Sequence, residues 1–184
     1  MEERYQALLA AIGREIPGFR VVRKDRSRFQ RLIHHALRAL TFGAQSSYLT
    51  SYQTTIGRTV YVTSDWDELP AAQRYVTMRH ERIHLLQFRR YTPIGMALLY
   101  LLLPLPLGLA WFRARFEWEA YAEGMRAAAE LHGRAFVESR AYRDRVVRQF
   151  TSGAYGWMWP FRAAVERWYD AALAELSPGA VPPR

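Results

Sequence analysis

The stretch Arg79-His80-Glu81-Arg82-Ile83-His84-Leu85-Leu86-Gln87 decides how the rest of the chain is interpreted. Its two histidines are four residues apart, and a glutamate directly follows the first. On an α-helix, residues i and i+4 lie on one face about one turn apart, so His80 and His84 can direct imidazole nitrogens at one metal ion. Glu81 would then stand beside the ion as a base. The pattern therefore predicts two metal ligands and a reactive carboxylate.

The sequence around the motif predicts a long helix preceded by a β-hairpin. The helix should begin at Leu69-Pro70, because proline is favoured in the first helical turn, and should run to about Tyr91. The preceding segment, residues 45–70, is rich in Thr, Tyr and Val, and Ile56-Gly57-Arg58 is a plausible turn between two strands. Amphipathic periodicity predicts further helices over 1–16, about 29–40, 107–133, 138–150 and 159–176, and residues 178–184 form a tail.

A zinc site of this kind needs a third protein ligand and an open position for water. The chain has no cysteine, so the third ligand must be His, Asp or Glu. Glu117 shares its helical face with mostly small or apolar residues, namely Ala120, Tyr121, Gly124, Ala128 and Leu131. Glu119 shares its face with Glu123, Arg126 and Glu130, as a solvated residue would. The periodicity favours Glu117 as the third ligand and keeps Glu119 as the alternative.

With these residues the chain resembles the gluzincin group of zinc peptidases, whose third ligand is a glutamate on a later helix. The resemblance covers roughly residues 47–128 and is specific only at His80, Glu81, His84 and Glu117. It implies an α+β, zincin-like fold that binds Zn²⁺ and hydrolyses a peptide or protein held against an edge strand. Many gluzincins carry an aspartate four residues after the glutamate, and Tyr121 occupies that place here. A phenol orients a ligand histidine less strongly than a carboxylate does.

We therefore expect one mainly helical domain spanning residues 1–184, with a small antiparallel sheet before the motif helix. The expected activity is peptide hydrolysis through a metal-activated water. The alternative is a membrane-associated or scaffold protein whose metal site is structural or does not turn over. Metal content and membrane fractionation discriminate between the two. The sequence names neither the substrate nor the oligomeric state.

The stretch from Tyr91 to Phe112 carries no charge and is long enough to suggest a membrane span. A straight span would place His84 and Glu117 about 30 Å apart, whereas ligands of one ion must converge. Pro104 and Pro106 should break the helix, so the sequence predicts an apolar hairpin over 92–112. The hairpin is either buried in the core or dipped into a membrane leaflet. Arginines at both ends favour a location in the cytoplasm or at the cytoplasmic face of the inner membrane.

The net charge of +9 raises the question of a nucleic-acid partner. The arginines are spread along the chain, and no nucleic-acid motif appears, so nucleic acid is not the expected partner. The N-terminus lacks the pattern of a secretory signal.

The remaining candidates are weaker. Tyr155, in the aromatic segment 149–161, is a candidate donor to the oxyanion of the tetrahedral intermediate, and core packing is the alternative for any single residue there. Gln87 lies on the ligand face and is a candidate to support a ligand histidine. His34, His35 and His132 lack a partner at ligand spacing.

Overall fold

The computed structural model describes residues 1–28, 30, 31, 52–97, 111–152, 159 and 161–176. The chain divides into two compact units, Met1–Arg90 and Tyr91–Arg184. The expectation of a single domain stays a prediction. Among the described residues no helix is both long and apolar enough to cross a membrane. Most of the predicted apolar hairpin (92–112), the predicted helix near 29–40 and the 178–184 tail lie outside the described residues.

The first unit combines helices with a small sheet. Its elements are α1 (Glu2–Glu15), β1 (Arg20–Arg23), β2 (Thr54–Ile56), β3 (Thr59–Val62) and α2 (Ala71–Tyr91). Short 3-10 helices cover Lys24–Arg26 and Trp66–Glu68. The predicted helix at the N-terminus and the predicted motif helix are thus confirmed.

The sheet has three strands, and β3 lies between β1 and β2. β2 and β3 form the predicted antiparallel hairpin, with Ile56 opposite Thr59. Gly57 has a φ of 61°, as a tight two-residue hairpin loop requires at its first position. The expectation of a purely antiparallel sheet is wrong, because β1 pairs with β3 in parallel. The α+β class itself is confirmed.

The motif helix α2 begins and ends where its sequence dictates. Pro70 directly precedes the helix, and its carbonyl accepts a hydrogen bond from the Arg74 backbone N–H at 3.0 Å. The helix ends at Tyr91, and the next residue, Thr92, has a φ of 62°. Thr92 precedes Pro93, and a residue before proline is disfavoured in the right-handed helical region.

The core of the first unit lies between α1, the sheet and α2. The Trp66 indole N–H donates a hydrogen bond to the Tyr5 hydroxyl at 3.1 Å. Fully or almost fully buried apolar side chains come from all three layers: Ile12, Val60, Val62, Met78 and Leu85. Packing of Met78 and Leu85 into this core fixes the rotation of α2 about its own axis.

The second unit is helical in all its described elements. These are α3 (Pro93–Ala97), α4 (Trp111–His132), α5 (Arg134–Glu138), α6 (Arg140–Thr151) and α7 (Arg162–Glu175). The helices predicted near 107–133, 138–150 and 159–176 correspond to α4, α6 and α7. The short α5 was not predicted. Gly133 separates it from α4 with a φ of 84°, which glycine adopts readily.

Candidate metal centre

The two motif histidines converge on the buried side of α2. Their Nε2 atoms lie 3.2 Å apart, and their rings meet edge to face with centroids 5.0 Å apart. Two nitrogens that each bind zinc at about 2.0–2.1 Å at a tetrahedral angle are separated by about 3.3–3.4 Å. The observed pair is therefore close to the geometry that one zinc ion requires of two histidine ligands.

Gln87 determines which nitrogen of His84 faces its partner. The Gln87 Oε1 atom lies 2.9 Å from His84 Nδ1, so the ring donates its Nδ1–H to the amide oxygen. This arrangement leaves the lone pair on Nε2, the nitrogen that faces His80. A ligand histidine commonly donates its other N–H in this way, which orients the ring. The predicted role of Gln87, to support a ligand histidine, requires this contact with His84.

Glu81 is held by a residue that the sequence did not single out. Its side chain is 6% exposed. The Thr55 hydroxyl, on strand β2, donates a hydrogen bond of 2.7 Å to Glu81 Oε2. The hairpin that precedes the motif helix therefore contacts the predicted general base directly. Its Thr- and Tyr-rich composition predicted the strand but not which hydroxyl would reach the helix.

Lys24 is a second residue that the sequence did not select. It directly follows β1 and is fully buried, at 0% exposure. Burial lowers the pKa of Lys24 to about 8, against the attraction of the Glu81 carboxylate, which raises it. One feature of the sequence could have drawn attention to Lys24: it is the single lysine among 26 basic residues.

Glu117 belongs to the second unit. It lies on α4 and is buried, at 3% exposure. Glu119, two residues later, is exposed. The helical periodicity thus separated the two carboxylates correctly. The same periodicity was wrong for Glu123, which is also buried and pairs with Arg126 at 3.4 Å. Tyr121 packs against Phe150 with ring centroids 5.3 Å apart.

The predicted role of Tyr155 stays a prediction, because Tyr155 lies outside the described residues. His34 and His35, which the sequence did not favour as ligands, also lie outside them. His132 packs against Phe136 at 4.8 Å between ring centroids.

No protein-family model matches the chain, and no curated protein or solved structure matches it. The resemblance to gluzincins therefore rests on His80, Glu81, His84 and Glu117 alone.

Proposed function

We propose that this protein is a zinc-dependent peptidase with a zincin-like fold, in which His80, His84 and Glu117 bind Zn²⁺ and Glu81 is the general base. The convergence of the His80 and His84 Nε2 atoms carries the proposal. Glu117, the third proposed ligand, is a buried carboxylate on α4. Two histidines and a glutamate are an established ligand set of catalytic zinc.

The ligand types fit zinc better than they fit the hard cations. Imidazole nitrogen is a good ligand for zinc, whereas calcium and magnesium prefer oxygen ligands. Gln87 supports this preference by keeping the His84 Nε2 lone pair available. When bound, zinc would polarise the carbonyl of a peptide bond and acidify a water molecule.

Glu81 would perform the proton transfers. Thr55 binds Oε2, which makes Oε1 the candidate proton acceptor. Glu81 would take a proton from the attacking water as the water oxygen bonds to the scissile carbonyl carbon. It would return that proton to the amine nitrogen as the carbon–nitrogen bond breaks. The products are a free carboxylate and a free amine, and Glu81 is regenerated. We also propose a location in the cytoplasm or at the cytoplasmic face of the inner membrane, because arginines flank residues 92–112 at both ends.

Metal analysis of the purified protein by elemental mass spectrometry tests the ligands. The wild type should contain near-stoichiometric zinc. The variants His80→Ala, His84→Ala and Glu117→Gln should lose it. Glu119→Gln is the matched control on the same helix and should keep its zinc. A wild type that takes up no metal after zinc reconstitution would contradict the site.

A peptide-library assay tests the reaction. Glu81→Gln should bind zinc normally and lose hydrolysis, by a factor of about 10² or more, because the general base is absent. Full hydrolytic activity in zinc-loaded Glu81→Gln would rule out the proposed base.

A second candidate function, contact with a membrane surface, has support in the second unit. Ile94, Trp111 and Phe112 are large apolar residues exposed to solvent. They occur at either end of the sequence 98–110, which carries no charge. Tryptophan and phenylalanine beside basic residues are typical of surfaces that rest on anionic lipid.

Co-sedimentation with anionic phospholipid vesicles tests this candidate. The Trp111→Ser/Phe112→Ser variant should bind vesicles at least about tenfold more weakly than the wild type, because two buried aromatic contacts with lipid are lost. Phe136→Ser, at an exposed phenylalanine on α5, is the control and should bind as the wild type does. Equal sedimentation of all three proteins would exclude these aromatics as the lipid contact.

A further inference from the structure

The buried Glu81 carboxylate accepts a hydrogen bond from a side chain outside the metal-binding motif. The donor is Thr55 on β2, which lies 26 positions before Glu81 in the sequence.

The burial of Glu81 requires compensation. A carboxylate at 6% exposure is unfavourable unless hydrogen bonds or charges offset the loss of water. The Thr55 hydroxyl supplies one such hydrogen bond.

The hydrogen bond from Thr55 also gives the carboxylate a direction. A carboxylate has two equivalent oxygens, and a donor that binds one of them distinguishes it from the other. The 2.7 Å hydrogen bond from Thr55 Oγ1 engages Oε2 specifically. The rotation of the carboxylate is thereby defined, and Oε1 becomes the distinct second oxygen.

We propose that Thr55 is a positioning residue for Glu81 and acts through its hydrogen bond to Oε2. Its effect on hydrolysis rests on the proposed function, because it requires Glu81 to act as the base. Its coupling to Glu81 does not depend on hydrolysis and can be measured separately.

A double-mutant cycle on folding stability at pH 7 tests the hydrogen bond. Glu81→Gln should shift the midpoint of urea unfolding less in the Thr55→Val background than in the wild type, because the bond is already absent. Thr54→Val is the matched control, because neighbouring residues on a strand point to opposite faces. It should show no coupling. Equal shifts in the Thr55→Val and Thr54→Val backgrounds would overturn the role of Thr55.

Kinetics test the consequence for the reaction. Thr55→Val should lower kcat about tenfold, the equivalent of one orienting hydrogen bond, with KM and zinc content unchanged. Thr55→Ser should restore kcat, and Thr54→Val should match the wild type. An unchanged kcat in Thr55→Val, or a loss of zinc alongside kcat, would contradict positioning of the base. A wild type without hydrolysis would refute the proposed function, while the stability cycles would still decide the coupling.

Discussion

The buried side of α2 carries Glu81, His84 and Gln87 at intervals of three residues, where a helix usually packs apolar side chains. All three are less than a tenth exposed. Polar groups withdrawn from water are unfavourable unless they form hydrogen bonds. The bonds from Thr55 to Glu81 and between His84 and Gln87 meet this requirement. A polar stripe of this kind indicates a site and not ordinary core packing.

Replacing Gln87 by leucine should weaken zinc binding by about 10- to 100-fold, because the His84 ring loses the acceptor that orients it. Competition with a chromogenic chelator measures the change. Gln73, which is exposed on the same helix, offers the control substitution Gln73→Leu. If the two variants bound zinc equally, Gln87 would have no part in holding the ligand.

Lys24 predicts an unusual dependence of stability on pH. Burial lowers its pKa to about 8 from the ordinary lysine value of 10.5. Between these pH values the unfolded chain retains a proton that the folded protein has released, so the free energy of unfolding should rise with pH. Below pH 8 the lysine is protonated in both states and contributes no slope.

Urea denaturation at several pH values between about 8 and 10 measures this effect. The rise should be present in the wild type and absent from Lys24→Met. Above pH 10, Tyr5, Tyr142 and Tyr169 act in the opposite direction, because burial raises their pKa values and the unfolded chain then binds fewer protons. Parallel pH profiles in the two proteins would show that Lys24 does not titrate in this range.

At the scale of elements, side chains of the motif helix α2 that lie away from His80 and His84 bind the C-terminal end of α1. Arg82 forms two hydrogen bonds to the Glu15 carboxylate, at 2.8 and 3.0 Å. Arg89 donates to the Glu15 backbone carbonyl at 3.1 Å. No local pattern in the sequence indicates these contacts, because Glu15 lies 67 positions before Arg82.

Arg82→Ala should lower the free energy of unfolding by about 1 kcal/mol, since the bidentate pair is only partly exposed. Urea denaturation measures the change. In a Glu15→Ala background the same substitution should have a smaller effect, because the carboxylate is already absent. Fully additive losses would show that the pair does not stabilise the contact between the two helices.

The elements themselves were largely predictable from local patterns. The periodicity of α1, α2 and α4 and the turn at Gly57 are properties of neighbouring residues. β1 was missed because it has four residues with two valines, and its partner β3 begins 39 positions after β1 starts. A parallel pair across such a separation leaves no local pattern in the sequence.

At the scale of the whole molecule, several arginines of the described residues form ion pairs. Arginines of the first unit pair with Glu2, Glu15 and Asp25, and arginines of the second unit pair with Asp144 and Glu175. These pairs leave the net charge of +9 unchanged. The case against a nucleic-acid partner rests on the spread of the arginines along the chain and on the sequence motifs.

Zinc should stabilise the whole protein if ligands from residues 80–84 and from Glu117 bind one ion. A ligand at 100 times its Kd stabilises the folded state by about 2.7 kcal/mol. For a chain of this size that corresponds to a rise in Tm of about 5–10 °C. Differential scanning calorimetry with zinc and with a chelator measures it.

The zinc-dependent rise in Tm should disappear in both His80→Ala and Glu117→Gln. It should persist in Glu119→Gln. A rise that survives in Glu117→Gln and disappears in His80→Ala would limit the site to the histidine pair.

The sequence by itself determined the helix and hairpin pattern, the histidine spacing and the preference for Glu117 over Glu119. Each of these follows from the period of a helix or strand, which neighbouring residues express. Only the tertiary structure decided that Gln87 contacts His84, that Thr55 binds Glu81 and that Lys24 is buried. These contacts depend on the rotation of α2 and on the order of strands in the sheet, and both are set by packing between residues that are distant in the chain.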